Sequence, residues 1–173
     1  MRAVVLIGLR GAGKTTIARD LAVTLGLEAV DLDARIVQAA GKPIPRIFAE
    51  DGEARFRELE SAALAKALGE ACVLAPGGGV VLAEKNRDAI RRSGAFVVWL
   101  AARPETLARR VEEDRATERP PLVPGGPLAE ARKLLEVRGP FYRELAHLVV
   151  QTDELAPAEV CDAIVRAFGR SWG

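Results

Sequence analysis

The sequence predicts an α/β fold with a five-stranded parallel sheet flanked by helices on both faces, and three observations predict it. Short apolar runs alternate along the chain with longer amphipathic stretches, the pattern of buried parallel strands joined by crossover helices. Within the longer stretches apolar residues recur every four positions, as in Ile17, Leu21 and Leu25 or Val160, Ile164 and Phe168, so each set shares one helical face directed at the sheet. The 173 residues, 49% of them hydrophobic, suffice for one sizeable core and give no linker that marks a second, so a single domain over 1–173 is expected.

Taken in order, the apolar runs place strands at Ala3 to Ile7, Glu28 to Asp31, Ala71 to Ala75, Ala95 to Leu100 and His147 to Gln151. Pro104 suits the first turn of a helix running to about Glu113, and Pro157 can open the last helix, because a missing N–H costs nothing there. Two segments interrupt the alternation. One is a helical insert from about Asp33 to Leu68. The other is a charged, then Pro/Gly-rich stretch from 114 to 127, where Pro120, Pro121, Pro124, Gly125, Gly126 and Pro127 predict a loop. Both are expected to face substrate.

Composition excludes several classes. Lys plus Arg number 25 against 24 Asp plus Glu, so no overall field points to nucleic acid or an anionic membrane. No run is long enough to span a bilayer and no signal peptide is visible, so a cytoplasmic protein is expected. Cys72 and Cys161 lack metal-ligand spacing and lie in apolar surroundings, where Cys acts as a small hydrophobe. No helix carries a second apolar stripe, which predicts a monomer.

Residues 8–15, Gly8-Leu9-Arg10-Gly11-Ala12-Gly13-Lys14-Thr15, match GxxxxGK[ST] between a predicted strand and a predicted helix. The glycines let backbone wrap close to phosphates, the helix N-terminus offers N–H groups, Lys14 adds a point charge, and the Thr15 hydroxyl can ligate Mg²⁺. The fold is therefore of the P-loop NTPase kind and ATP the expected cofactor; Thr16 continues the first turn. Arg10 is cationic and its role stays open. A GTPase would need an NKxD-like motif, and the only Asn is Asn86 in Lys-Asn-Arg-Asp. The third strand runs into Pro76 and three glycines, so it lacks the acid expected of ATPase motors.

The metal-side acid must come from elsewhere. Asp31-Leu32-Asp33 lies at the C-terminal end of the second strand, where period-two alternation lets both carboxylates face one side; one can meet Mg²⁺, the other an acceptor hydroxyl. Asp33 also fits a helix N-cap. Gly77, Gly78 and Gly79 allow a ligand to approach backbone N–H groups. Arg57 in Phe56-Arg57-Glu58-Leu59-Glu60 sits at pairing distance from Glu53 and Glu60 on a helix, and such pairs usually decorate a surface. His147, the only histidine, is expected to be structural.

Together the phosphate loop, DxD (Asp31, Asp33), FRxxE (Phe56, Arg57, Glu60), the glycine triplet, Arg119-Pro120 and Arg138 in RxPxY resemble the shikimate kinase family over almost the whole chain. The resemblance implies a small-metabolite kinase that transfers the γ-phosphate of ATP to the 3-hydroxyl of shikimate. Lys14, Asp33 and Arg119 would be the catalytic set. Gly11, Ala12, Gly13, Lys14, Thr15, Thr16, Arg110, Arg119 and Pro157 would hold the nucleotide, with Arg110 and Pro157 flanking adenine. Asp33, Arg57, Gly77, Gly78, Gly79 and Arg138 would hold shikimate, the two arginines at its carboxylate. Thr15 and Asp31 would serve the metal. Residues 114–127 would form a lid carrying Arg119, hinged at Gly125 and Gly126; its Arg119-Pro120-Pro121-Leu122 departs from the family's usual RPLL. The alternatives are a gluconate or nucleoside monophosphate kinase, which the arginine pair disfavours, and a non-catalytic ligand-sensing module. Some regulators carry such a module behind a DNA-binding helix-turn-helix, and this sequence begins within three residues of its first expected strand, which disfavours that reading.

Overall fold

The computed structural model describes residues 3–114 and 124–172, the side chains of Ser171 and Trp172 excepted. The order is β1 (Val4–Ile7), α1 (Lys14–Leu25), β2 (Glu28–Asp31), α2 (Leu32–Ala40), α3 (Ile44–Glu50), α4 (Gly52–Leu68), β3 (Cys72–Ala75), a 3-10 turn (Val80–Leu82), α5 (Glu84–Ser93), β4 (Phe96–Ala101), α6 (Pro104–Glu113), α7 (Gly126–Leu145), β5 (Leu148–Gln151) and α8 (Pro157–Trp172). All five expected strands are found within a residue of their expected ends. Pro104 and Pro157 open the helices assigned to them.

The sheet runs β2-β3-β1-β4-β5 and every pair is parallel, with Val4 opposite Val73 on one side and Phe96 on the other. β1, β3 and β4 are buried throughout, because helices cover both faces and leave no position for a polar side chain. α1 and α8 pack together on one face, while α4, α5 and α7 form the other layer. The core joins Val5, Leu6, Leu74, Val98 and Leu100 of the strands to Leu21 and Ile164 from the α1/α8 layer and Leu64 and Tyr142 from the opposite one. Burying each such aliphatic side chain contributes roughly 1.5–3 kcal/mol. Cys72 and Cys161 are free, buried thiols that burial pushes above the ordinary cysteine value, Cys72 to about 11.

Two local expectations are corrected. β2 stops at Asp31, and Asp33 already belongs to α2, so strand alternation does not orient it. The cap is Asp31: its Oδ1 accepts from Asp33 N at 3.0 Å and Ala34 N at 3.3 Å, satisfying two first-turn donors. Residues 126 and 127 do not continue the loop but open α7, because a proline at the first turn leaves no donor unmet. The rest of the expected lid, 115–123 with Arg119, lies outside the described residues.

Candidate active site

Right-handed crossovers decide where a site can form. α1 carries the chain from β1 outward to β2, whereas α5 carries it from β3 the other way to β4, so the paired strands β1 and β3 feed helices on opposite faces. Ligands bind at such a switch point, beyond the carboxyl ends of the strands. A cleft of about 340 Å³ opens there, lined by Arg10, Gly11 and Gly13 to Thr16 after β1, Asp31 and Asp33 after β2, Ala75 to Gly78 after β3, and Arg110 and Asp114.

On the β1 side the backbone is shaped by close approach. Gly8 (φ 148°) and Gly11 (φ 82°) would each drive a Cβ into a backbone carbonyl, Leu100 O at 2.6 Å and Leu107 O at 2.7 Å. Gly13 caps α1 with no side chain, and no acid occupies the first turn, so the helix N-terminus is left suited to an anion. Lys14 Nζ donates to Gly8 O at 2.9 Å and Leu9 O at 3.0 Å, which arches its ammonium over the loop. Thr15 Oγ1 meets Asp31 Oδ2 at 3.4 Å, a hydroxyl beside a carboxylate. Arg110 is held by Thr152: Nη2 donates to its carbonyl at 2.6 Å and Nη1 to its hydroxyl at 2.9 Å, with a longer bond to Gly11 O at 3.4 Å.

The β3 side works differently, because the glycine triplet is surrounded by side chains from distant elements. A Cβ at Gly77 would lie 3.5 Å from Asp33 Oδ1 and 3.7 Å from Glu60 Oε1. At Gly78 it would lie 3.3 Å from both Arg138 Nη1 and Tyr142 Oη; at Gly79, 3.2 Å from Arg57 Nη1 and 3.7 Å from Arg138 Nη2. Asp33 from α2, Arg57 and Glu60 from α4, and Arg138 and Tyr142 from α7 thus converge on three residues that offer no side chain to block them. Arg57 also lies over the Phe56 ring, 5.2 Å from its centroid, and Phe56 packs on Phe48 at 4.6 Å.

Charge here is paired under burial. Arg57 Nη1 donates to Glu60 Oε2 at 2.9 Å, and Glu53 adds a weaker contact at 3.3 Å. The partners respond unequally. Burial opposes the Arg57 charge, but the bonds to Glu60 and Glu53 outweigh it and leave the guanidinium more firmly protonated. For Glu60 burial is the larger effect and lifts its carboxyl above the usual range against the pull of Arg57 and Arg138. The difference follows from exposure, 30% for the arginine side chain and 3% for the glutamate. Arg138 is 9% exposed and its Nε finds no hydrogen-bond partner among the described residues, a buried cation with donor capacity to spare.

A family model described as shikimate kinase matches residues 10–168. The chain belongs to the shikimate kinase family. A shikimate kinase from a Marinomonas species is 43% identical over 172 residues, covering 96% of this chain and 92% of its own, and one from Symbiobacterium thermophilum is 42% identical, covering 94% and 93%. The shikimate kinase of Acinetobacter baumannii, solved in complex with shikimate, superposes with a TM-score of 0.89 at 34% identity, covering all of this chain and 96% of that one. A gluconokinase from Sinorhizobium meliloti, 20% identical with a TM-score of 0.65, shares the fold alone.

Against this shikimate kinase framework most expected residues gather in the cleft or against its glycine wall. Gly11, Gly13, Lys14, Thr15, Thr16, Asp31, Asp33, Gly77, Gly78 and Arg110 line it, while Gly79, Arg57 and Arg138 adjoin it through the triplet. Ala12 is instead buried beneath the loop, its N–H bonded to Leu9 O at 3.2 Å. Pro157 stands exposed at the start of α8 and is not among the lining residues. His147 Nδ1 accepts from Val97 N at 3.0 Å and the ring stacks on Phe96, tying β5 to β4 away from the cleft. Sequence reasoning held Glu60 and Tyr142 only as the closing residues of FRxxE and RxPxY, without the burial of the one or the hydroxyl contact of the other, and it missed Thr152 altogether. The motif places Tyr142 four residues after Arg138, on the same helical face.

Proposed function

We propose that this chain is a shikimate kinase, transferring the γ-phosphate of ATP to the 3-hydroxyl of shikimate to give shikimate 3-phosphate and ADP in aromatic amino-acid biosynthesis. One observation carries the reading: a phosphate loop and a pair of arginines converging on a glycine triplet open on one cleft, with Asp33 between them. That arrangement suits an acceptor with a carboxylate at one end and a hydroxyl at the other.

In this mechanism the backbone N–H groups from Gly11 to Thr16 cradle the phosphates, and Lys14 exchanges its loop carbonyls for phosphate oxygens. Arg57 and Arg138 hold the acceptor carboxylate, since a guanidinium fork matches a carboxylate bidentately. Asp33 orients the 3-hydroxyl and takes its proton as the oxygen bonds to the γ-phosphorus and the bond to ADP breaks. Thr15 and Asp31 would hold Mg²⁺, which neutralises phosphate charge. Their 3.4 Å contact fits that ion, which is typically bound by one or two protein groups plus phosphates and water rather than by a protein cage.

The family resemblance adds Arg119 as the lid cation stabilising the transferring phosphate, and Arg110 with Pro157 beside adenine. Residues 1–173 would act as one kinase unit, with an insert over 33–68 and a lid over 114–127. It would work as a cytoplasmic monomer; among the described residues no helix is long and apolar enough to cross a membrane.

The decisive assay measures ADP release from MgATP with shikimate, with gluconate, with AMP and with no acceptor, on the wild type and on Lys14→Ala. Turnover is expected with shikimate alone, falling by about 10³-fold in the variant, as befits loss of a cation on the transferring phosphate. Turnover with gluconate or AMP would replace the acceptor assignment. Silence with all three while shikimate still binds would make the chain a sensing module.

A further inference from the structure

Tyr142 is the only tyrosine in the chain and is completely buried, yet its hydroxyl reaches the glycine triplet. It donates to Gly78 O at 2.6 Å, a short bond made inside the protein. Its ring packs against Trp99 of β4, with centroids 5.7 Å apart, so the hydroxyl is aimed by the core and not by solvent. Arg138 lies one helical turn earlier on the same face of α7, and Gly78 sits above both: a Cβ there would be 3.3 Å from the guanidinium and 3.3 Å from the phenol oxygen. Burial pushes the phenol well above its ordinary value, with Arg138 pulling the other way, so it remains an O–H donor throughout the working pH range.

The Gly78–Gly79 peptide is trans and planar, so the Gly79 N–H points opposite to the Gly78 carbonyl. With that carbonyl turned to the buried phenol, the N–H turns away from it, and Gly79 itself is flanked by guanidinium groups, a Cβ there lying 3.2 Å from Arg57 Nη1 and 3.7 Å from Arg138 Nη2. No side chain in the triplet can set this orientation, and glycine alone leaves the peptide free to rotate. We propose that Tyr142 is a positioning residue: its hydroxyl locks the Gly78–Gly79 peptide so that the Gly79 N–H and the Arg138 guanidinium meet the same anionic group of the acceptor. This rests on the reading of that group as the shikimate carboxylate.

The test compares Kd for shikimate and for its methyl ester, which keeps the ring and hydroxyls but loses the charge, in wild type and Tyr142→Phe. The substitution removes one oxygen and conserves volume. Shikimate binding should weaken about fivefold, the worth of one net hydrogen bond. Ester binding and the ATP Kd should stay put, so that the shikimate-to-ester preference collapses by the same factor. Equal weakening for acid and ester, or none, would overturn the proposal, because a merely structural hydroxyl does not read the carboxylate. Should the variant fail to fold, wild-type protein grown with 3-fluorotyrosine supplies one fluorine resonance. A shift with shikimate and not with the ester supports the locking role, and no difference between them overturns it. Turnover of the wild type with shikimate, run alongside, reports separately on the parent reading.

Discussion

Gly8 and Gly11 on the proposed nucleotide side and Gly77 to Gly79 on the proposed acceptor side are both glycine clusters at the ends of neighbouring strands, yet a methyl group would meet different things in each. At Gly8 and Gly11 it would meet backbone carbonyls under 3 Å away, and the backbone sits at positive φ. At Gly77 to Gly79 no φ is positive, and apart from the Gly8 carbonyl near Gly78 the nearest atoms belong to Asp33, Glu60, Arg57, Arg138 and Tyr142. The nucleotide half is thus a backbone device written in eight consecutive residues. The acceptor half is a side-chain device whose parts the fold collects from α2, α4 and α7. Damage to the first should register in folding and ATP affinity, and damage to the second chiefly in shikimate affinity.

The sharpest break in that comparison is Arg57→Ala. Losing a charge-assisted grip on a carboxylate and leaving its partner unpaired should raise the shikimate KM about 100-fold, within the 2–5 kcal/mol typical of such truncations. The ATP KM should hold. Arg57→Lys keeps the charge but loses the fork and should recover only part of the loss. Equal deterioration of both KM values would show that the two halves are not separable. Steady-state kinetics with each substrate varied in turn decides it.

Paired glycine variants sharpen the contrast at smaller amplitude. Gly11→Ala places a β-carbon at positive φ and 2.7 Å from Leu107 O, so it should cost about 1–3 kcal/mol of stability and raise the ATP KM. Gly79→Ala keeps an ordinary φ of −86° and presses on the end of a flexible arginine at 3.2 Å. It should leave stability within about 0.5 kcal/mol and raise the shikimate KM several-fold. Thermal melts beside kinetics would show whether the two substitutions separate in this way.

This division also explains what could be read from the chain beforehand. The phosphate loop was legible because its parts are contiguous and flanked by an apolar strand and an amphipathic helix. The strands were legible because buried parallel strands are uninterrupted apolar runs. Asp33 was reached by a geometry that does not exist, since helix α2 begins one residue after the strand end and Asp31 caps it. The burial of Glu60 escaped because an i,i+3 pair with arginine reads the same on an exposed or a buried face, and the role of Tyr142 escaped because its hydroxyl bonds Gly78, 64 residues away in the chain. Only the packing of α4 and α7 over β3 and β4 shows that Glu60 is 2% exposed.

Glu60→Gln probes the least exposed charge in the acceptor half and carries the smallest expected effect. The amide keeps the shape and an acceptor for Arg57 but drops the negative charge, so the shikimate KM should rise only about threefold, the scale of an ion pair reduced to a hydrogen bond between a cation and a neutral amide. Its pH signature is more specific. Burial holds the native Glu60 carboxyl above its usual value, so on raising the pH the unfolded chain gives up this proton first, from about pH 4. Between the unfolded and native values the native state binds more protons, and stability falls as pH rises through that window. The glutamine variant has no proton to lose. The melting temperature of the wild type relative to Glu60→Gln should therefore be highest at the acid end and decline as the pH rises through the native carboxyl's range. A difference that grows with pH would mean that Arg57 and Arg138 hold the carboxylate ionised strongly enough to overcome its burial, making the pair a source of stability in the acceptor half.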